Sequence, residues 1–322
     1  MRNFAHVNAR SIDDAVAALQ RYGKKAAIIA GGTDLLGKMK DEILPTYPEA
    51  LINIKTIPDL DLIEEKNDML CIGALARLED IATNQKIRDA YPALAEAARR
   101  TASTHLREMG TIGGNICQDI RCWYYRNQNN RFPCLRKGGG RCYAIDGDNR
   151  YHSIFGGSVE QGCYAVHPSD TAPVLIALDA LIKTSRRFIK AEDFFQVSVT
   201  KTTLLDDDEI VTEIQIPKPF GKSAFVKFAL RKAIDFPIVN CAAMLALSGK
   251  KVMDARICLN AVYVKPYRTA KAEEAIRGKA VTEADAEAAG AAAVSNARPM
   301  VYNAYMVQIA KTMVKRAILG CA

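Results

Sequence analysis

Residues 111–170 read TIGGNICQDIRCWYYRNQNNRFPCLRKGGGRCYAIDGDNRYHSIFGGSVEQGCYAVHPSD. They join a tight glycine turn, Thr111-Ile112-Gly113-Gly114-Asn115, to a loop holding five of the nine cysteines, Cys117, Cys122, Cys134, Cys142 and Cys163. A matching turn, Gly31-Gly32-Thr33-Asp34-Leu35, stands about eighty residues upstream, directly after the apolar run Ala26 to Ala30. Glycines at the end of a strand let the backbone approach a ligand closely, and their amides, with the Thr33 hydroxyl, suit phosphate oxygens. One such turn is most often a plain bend, and neither matches G-x-G-x-x-G or the Walker pattern. Two of them can grip both phosphates of a dinucleotide.

The crowded cysteines admit three causes: disulfides, zinc or an iron-sulfur cluster. Disulfides suit short secreted chains, whereas this one has 322 residues, 49% of them hydrophobic, and opens without a signal-peptide pattern. Structural zinc usually draws on C-x-x-C pairs, of which there are none. Cys122, Cys134, Cys142 and Cys163 are instead separated by 11, 7 and 20 residues, as suits four ligands on an irregular loop around a bulky inorganic core. Between Arg121 and Arg150 seven basic residues face two acidic ones, in a chain of net charge +8. A thiolate-bound cluster is anionic and nearby cations raise its reduction potential, so the pattern fits a redox cluster. The spacing alone leaves zinc and a solvated basic loop with scattered thiols, taken together, about as well supported as a cluster.

Composition bounds the rest. The length suffices for two or three domains, and no apolar run approaches the roughly 18 residues needed to cross a bilayer. The bases outside the cysteine loop are dispersed and no helix-turn-helix, ribonucleoprotein or zinc-finger pattern occurs, so nothing points to nucleic acid. Nine cysteines without a signal peptide point to a reducing, cytoplasmic compartment. His6, His105, His152 and His167 sit in no metal or proton-transfer signature.

Along the chain, strands are expected at Phe4 to Val7, Ala26 to Ala30 (buried), Leu51 to Ile54 and Leu70 to Ala74, with a helix from the cap Ser11 to Tyr22. Helix is expected from Arg77 and again from Tyr91 to Thr104. Asp170 reads as a helix cap or as a partner of cofactor hydroxyls, and strands follow at Leu181 to Ser185 and Glu209 to Ile216. Pro217, Pro219 and Gly221 mark a domain boundary. Beyond it, Ser223 to Lys232, Val239 to Leu247 and Ala255 to Val264 read as an antiparallel sheet, followed by helices at Lys271 to Arg277, Glu283 to Ser295 and Tyr302 to Leu319.

These residues resemble the flavin-binding medium subunits of the xanthine dehydrogenase and carbon monoxide dehydrogenase type of molybdenum hydroxylases, over almost the whole chain. Ile29, Ala30, Gly31, Gly32, Thr33, Asp34, Leu35 and Leu36 look like the family's first flavin loop, and Thr111, Ile112, Gly113, Gly114 and Asn115 like its second. Asp170 sits where the family places an aspartate on the flavin, and Pro299 through Tyr305 to Arg316 resembles the family's closing helix. Thr101, Val211 and Lys227 align with further flavin-contacting positions, Thr101 replacing an aromatic residue; as a lone strand lysine, Lys227 reads equally as exposed.

Most members lack the cysteine loop. A minority, notably the flavin subunits of 4-hydroxybenzoyl-CoA reductase and of a bacterial aldehyde oxidoreductase, carry it with an additional 4Fe-4S cluster. That resemblance implies Cys122, Cys134, Cys142 and Cys163 as ligands and leaves Cys117 unmatched. It further implies an α+β fold with a two-subdomain FAD-binding domain of PCMH/VAO-like type over residues 1–219, interrupted by an iron-sulfur loop at 117–163, and a small α+β C-terminal domain over 220–322. The function so implied is a redox subunit binding FAD and a 4Fe-4S cluster. It would pass electrons between an external carrier (ferredoxin, NAD or quinone-type) and a small 2Fe-2S and a large molybdopterin subunit. The alternative is a structural zinc protein with a nucleotide-binding domain and no redox activity.

Overall fold

In the computed structural model, which describes residues 1–322, the chain begins with a small parallel sheet. Strand β1 (Ala5–Asn8) leads through helix α1 (Ile12–Tyr22) to β2 (Ala26–Ile29), and α2 (Leu35–Lys40) precedes β3 (Ala50–Asn53). β3 lies in the middle, with Ala50 opposite Ala5 on one side and Ala26 on the other. All four of its residues are buried, as a central strand under a helix requires. Ser11 caps α1 through Oγ, which accepts the Asp14 N–H at 3.1 Å, and Ala15 and Leu19 pack inward. β2 is half-buried rather than buried, because it is an edge strand and Ala26, Ala27 and Ile28 line a cleft.

An antiparallel sheet follows. β4 (Ile63–Lys66), polar in sequence and unanticipated, pairs with β5 (Met69–Gly73) across Asn67 and Asp68, whose φ values of 52° and 58° make the hairpin turn that matches strand twist. Helices α3 (Leu78–Thr83), α4 (Gln85–Ala90) and α5 (Pro92–Arg99) come next. α5 stops five residues short of the expected Thr104 and Ala102 turns left-handed (φ 50°), so α6 (Thr104–Arg107) is separate. The second glycine stretch is not a bend but a helical turn, α7 (Ile112–Ile116), capped by Thr111. Then come α8 (Ala172–Ala177), β6 (Leu181–Thr184), the unanticipated β7 (Phe188–Lys190) and α9 (Ala191–Phe194), and β8 (Val211–Pro217). The sheet order is β4-β5-β8-β6-β7.

The last hundred or so residues form the expected antiparallel sheet with one extra short strand: β9 (Lys222–Phe228), β10 (Val239–Ser248), β11 (Lys251–Asn260) and β12 (Tyr267–Arg268). β9 ends four residues before Lys232, and β11 starts four before Ala255, since Gly249 (φ 58°) turns the hairpin early. Strand alternation gives the sheet two apolar faces. Phe225, Ala242, Met244 and Cys258 complete the core of the preceding domain, while Cys241, Ala243, Leu245 and Ile257 pack under α10 (Ala270–Ile276), α11 (Glu283–Ala293) and α12 (Tyr305–Leu319). No helix is long and apolar enough to cross a membrane.

Between α7 and α8 the cysteine loop has no strand or α-helix. It is nonetheless fixed. Arg121 and Val166 exchange backbone bonds of 2.9 and 3.1 Å, and Ile120, Tyr125, Cys134 and Cys163 share a small core with Ile43 and Val264. From the far end of the chain, Asn303 Nδ2 donates to the His152 and Ser153 carbonyls and the Tyr305 hydroxyl to that of Arg150.

Candidate functional site

A cleft of about 550 Å³, within the range of cofactor pockets, is bordered by β2, the first glycine loop, α7 and Asp170. Gly31 brings the first loop against the segment before the second so closely that a Cβ on it would lie 1.9 Å from the Met109 carbonyl oxygen. Gly32 is left-handed at φ 71°. The N–H groups of Gly31, Gly32, Thr33 and Asp34 donate to no protein acceptor, so four successive amides stand free beside the cleft. Free consecutive amides of this kind suit an anion.

The second loop is built differently. Its amides are mostly engaged: Ile112 N–H donates to Ala76 O, Gly113 N–H to Ala74 O (both 2.9 Å), Gly114 N–H to Thr111 Oγ1 (3.2 Å) and Asn115 N–H to Thr111 O (2.8 Å). The expected symmetry of two amide-lined bends is therefore absent. Asn115 Oδ1 accepts from the hydroxyls of Ser169 and Thr171, which turns its amide end away from them.

Asp170 does not cap α8. Thr171 occupies the N-cap position, and the Ala172 N–H donates to Ser169 Oγ at 3.1 Å. The Asp170 carboxylate instead accepts from Lys227 Nζ at 2.6 Å and Asn240 Nδ2 at 2.7 Å, and both ion-pair side chains are 3% exposed, so Lys227 is not an exposed strand lysine. Burial pushes the Asp170 carboxyl up against the pull of Lys227. Thr101 and Val211 also line the cleft, with Ala30 and Leu35, whereas Ile29, Leu36 and Ile112 do not. Ile112 belongs to the core, and Ile29 and Leu36 pack around Gly32.

Asp34 faces the cysteine loop. Its carboxylate accepts from Arg126 Nη1 at 2.6 Å and from the Asp119 N–H at 3.0 Å, with Arg121 at 3.7 Å. Burial raises the Asp34 pKa, but Arg126 outweighs it and holds the carboxyl below the usual range. Asp119 in turn pairs with Lys38 at 3.2 Å and accepts from the Tyr125 hydroxyl. The Arg121 guanidinium carbon lies over Phe236, 3.7 Å from its centroid, and burial lowers its pKa to about 10. Sequence reading missed Asp119, Arg121, Tyr125 and Phe236, all on the cleft wall, because no local pattern marks them.

All nine cysteines are free thiols. Cys122, Cys134, Cys142 and Cys163 line one small, otherwise largely apolar cavity, whose wall has no carboxylate. Backbone amides of Tyr124 and Tyr125 near Cys122, and of Arg136 and Lys137 near Cys134, pull those thiols toward the thiolate form. Burial outweighs that pull and pushes the Cys122 thiol up to about 12. The donor set, four sulfurs on one wall without a competing carboxylate, fits a thiolate-bound inorganic group. His152 Nε2 stands 3.2 Å from the Cys122 sulfur. Cys117 lines the larger cleft instead. Tyr125 and Arg136 border both cavities, so one wall serves the two.

Residues 2–219 match the family model for the FAD binding domain in molybdopterin dehydrogenase, and residues 224–321 that for the CO dehydrogenase flavoprotein C-terminal domain. The aldehyde oxidoreductase FAD-binding subunit PaoB of Escherichia coli (strain K12) is 32% identical, over 97% of this chain and 96% of its own. The carbon monoxide dehydrogenase medium chain of Hydrogenophaga pseudoflava is 29% identical over 96% and 93%. A solved structure of carbon monoxide dehydrogenase from that organism, lacking the Mo-pyranopterin moiety, superposes with a TM-score of 0.77 at 27% identity, covering 99% of this chain and 97% of the other. This chain therefore belongs to the FAD-binding medium subunits of the molybdenum hydroxylase family, and is an oxidoreductase flavoprotein subunit.

Proposed function

We propose that this subunit binds FAD in the cleft and a 4Fe-4S cluster in the four-thiol cavity, and passes electrons between an external carrier and partner subunits. The observation that carries the reading is the adjacency of two chemically distinct cavities, one edged by free amides and one by thiols, across the shared wall of Tyr125 and Arg136. FAD, when bound, exchanges electron pairs with a diffusible partner and single electrons with iron-sulfur centres. The chain's own part is placement and charge. The amides of Gly31, Gly32, Thr33 and Asp34 would hold the diphosphate, with Thr33 Oγ1 and the Asn115 amide as further donors. Gly114 leaves room on the opposite side, Thr101 and Val211 complete the wall, and Asp170, fixed by Lys227, would receive a ring donor or hydroxyl. Cys122, Cys134, Cys142 and Cys163 would hold the iron.

The proposed division is an FAD-binding domain over 1–219, interrupted at 117–163, and a C-terminal domain over 220–322. The names of the relatives, medium chain and FAD-binding subunit, describe parts of larger assemblies. By extension the partners are a small 2Fe-2S subunit and a large molybdopterin subunit, where the organic substrate is transformed, with a ferredoxin, NAD or quinone-type carrier outside. Reduced thiols suit a cytoplasmic setting.

The zinc reading is less well supported. One tetrahedral ion needs three or four ligands converging on a point, and no group of three or more His, Cys, Asp or Glu does so here. Anaerobic purification tests both. The expected product shows flavin bands with a broad shoulder that dithionite bleaches, and equal iron and acid-labile sulfide. The double change Cys122→Ser with Cys163→Ser is expected to remove iron and spare flavin. A colourless protein retaining one zinc would overturn the proposal.

A further inference from the structure

The seven bases between Arg121 and Arg150 do not do the same thing. Arg126 is spent on Asp34, Arg150 on Asp148, and Arg136 donates to the Ser198 carbonyl at 2.6 Å. Arg121 lies over Phe236 with Asp34 alongside, and Arg131 and Arg141 are exposed to water. Lys137 alone is buried with an ammonium that has no hydrogen-bond partner in the protein. A lysine is almost never buried unpaired, because desolvating a charge is costly unless an opposite charge compensates it.

Its surroundings say where that compensation lies. Cys134 caps the short 3-10 turn Leu135–Lys137, and its carbonyl accepts the N–H of Lys137 at 2.8 Å and of Gly139 at 2.9 Å. The chain thus doubles back on the cysteine, and the Lys137 ammonium comes 5.8 Å from the centroid of Tyr125, which borders the thiol cavity. No carboxylate lines that cavity. The groups on that wall that acquire negative charge when a metal group is bound are the cysteine sulfurs.

We propose that Lys137 is the counter-charge of the four-thiol cavity: a positioning residue whose fixed positive charge favours the more anionic, reduced state of the group those cysteines hold. This rests on the cluster reading above. Reduction adds one electron and no proton to the group, so the whole of the added charge is felt by a cation in a poorly screened interior. Exposed Arg131, on the same loop, is screened by solvent and contributes little.

The test is an EPR-monitored redox titration of the purified complex carrying Lys137→Met, Lys137→Arg or Arg131→Met, with iron, sulfide and flavin measured on each sample. Expected for Lys137→Met is a roughly tenfold fall in the reduced-to-oxidised ratio at a fixed ambient potential, a shift of about 59 mV for one electron. Lys137→Arg should restore most of it and Arg131→Met should change the ratio less than about twofold. Loss of iron from Lys137→Met but not from Lys137→Arg, with flavin retained in both, also supports a charge role. An unshifted potential in a fully loaded Lys137→Met protein, or equal losses in the Met and Arg variants, overturns it. Absence of iron from the unaltered complex overturns the cluster reading, and the proposal with it.

Discussion

Asp34 is where the first glycine loop and the cysteine loop meet, held by Arg126 and the Asp119 N–H. Its partner Arg126 is mostly buried and would keep only the Ile120 and Asp119 carbonyls and the more distant Asp119 charge, so Asp34→Ala removes its direct ion pair; a destabilisation of about 2–4 kcal/mol is expected in urea unfolding, with Arg126→Met in the same background recovering part of it. His167 gives a pH signature. It is fully buried, packs edge-on against Phe195, and burial lowers its pKa to about 3 from an ordinary 6.5. The unfolded chain therefore takes up a proton below pH 6.5 that the folded chain refuses until about pH 3. Its contribution is intact above pH 6.5 and lost as pH falls through that window, at up to roughly 1.4 kcal/mol per pH unit. His167→Phe should flatten the fall in urea midpoint between pH 7 and pH 4.5; an unchanged slope would count against it. Neither role was legible in the sequence, since a lone histidine and an aspartate in a glycine loop carry no mark of the partner that folding brings from far along the chain.

At the scale of elements, the glycines of the first loop separate packing from permissiveness. Gly31→Ala is expected to push the loop off the Met109 carbonyl and lower the flavin-to-protein ratio severalfold, whereas Gly37→Ala in α2, with nothing within 4 Å of its Cβ, should leave flavin unchanged and stabilise the helix by about 0.5–1 kcal/mol. A Gly31→Ala protein with full flavin would show that the two loops need not touch. Most elements could be read in advance where local chemistry decides them: α1 has its serine cap and β3 its apolar run, whereas α2 was not anticipated. β4 could not, because its residues, Ile-Glu-Glu-Lys, fold only as the edge of a hairpin fixed by Asn67 and Asp68. The second glycine stretch was misread as a bend because Gly-Gly in a helix is locally unfavourable. Its Thr111 cap and the two carbonyls offered by residues 74 and 76 override that preference.

At the scale of the whole molecule, the C-terminal sheet serves two cores at once, and Lys227 on β9 reaches across to Asp170. Lys227→Met strands a buried carboxylate and is expected to cost about 3–5 kcal/mol, read as a lower urea midpoint together with loosened flavin; loss of flavin at unchanged stability would show a purely local role. The α+β division was visible because each half carries its own periodicity, but this bridge was not, since it joins residues 57 positions apart. The clamp of Asn303 and Tyr305 on residues 150–153 spans still more of the chain, about 150 positions. A ribosome must therefore release residue 305 before the loop can be locked. Until then its thiols remain open to solvent, and afterwards Cys134, Cys142 and Cys163 are buried. Nascent chains arrested before Pro299 should accordingly be alkylated at these thiols much faster than the finished protein.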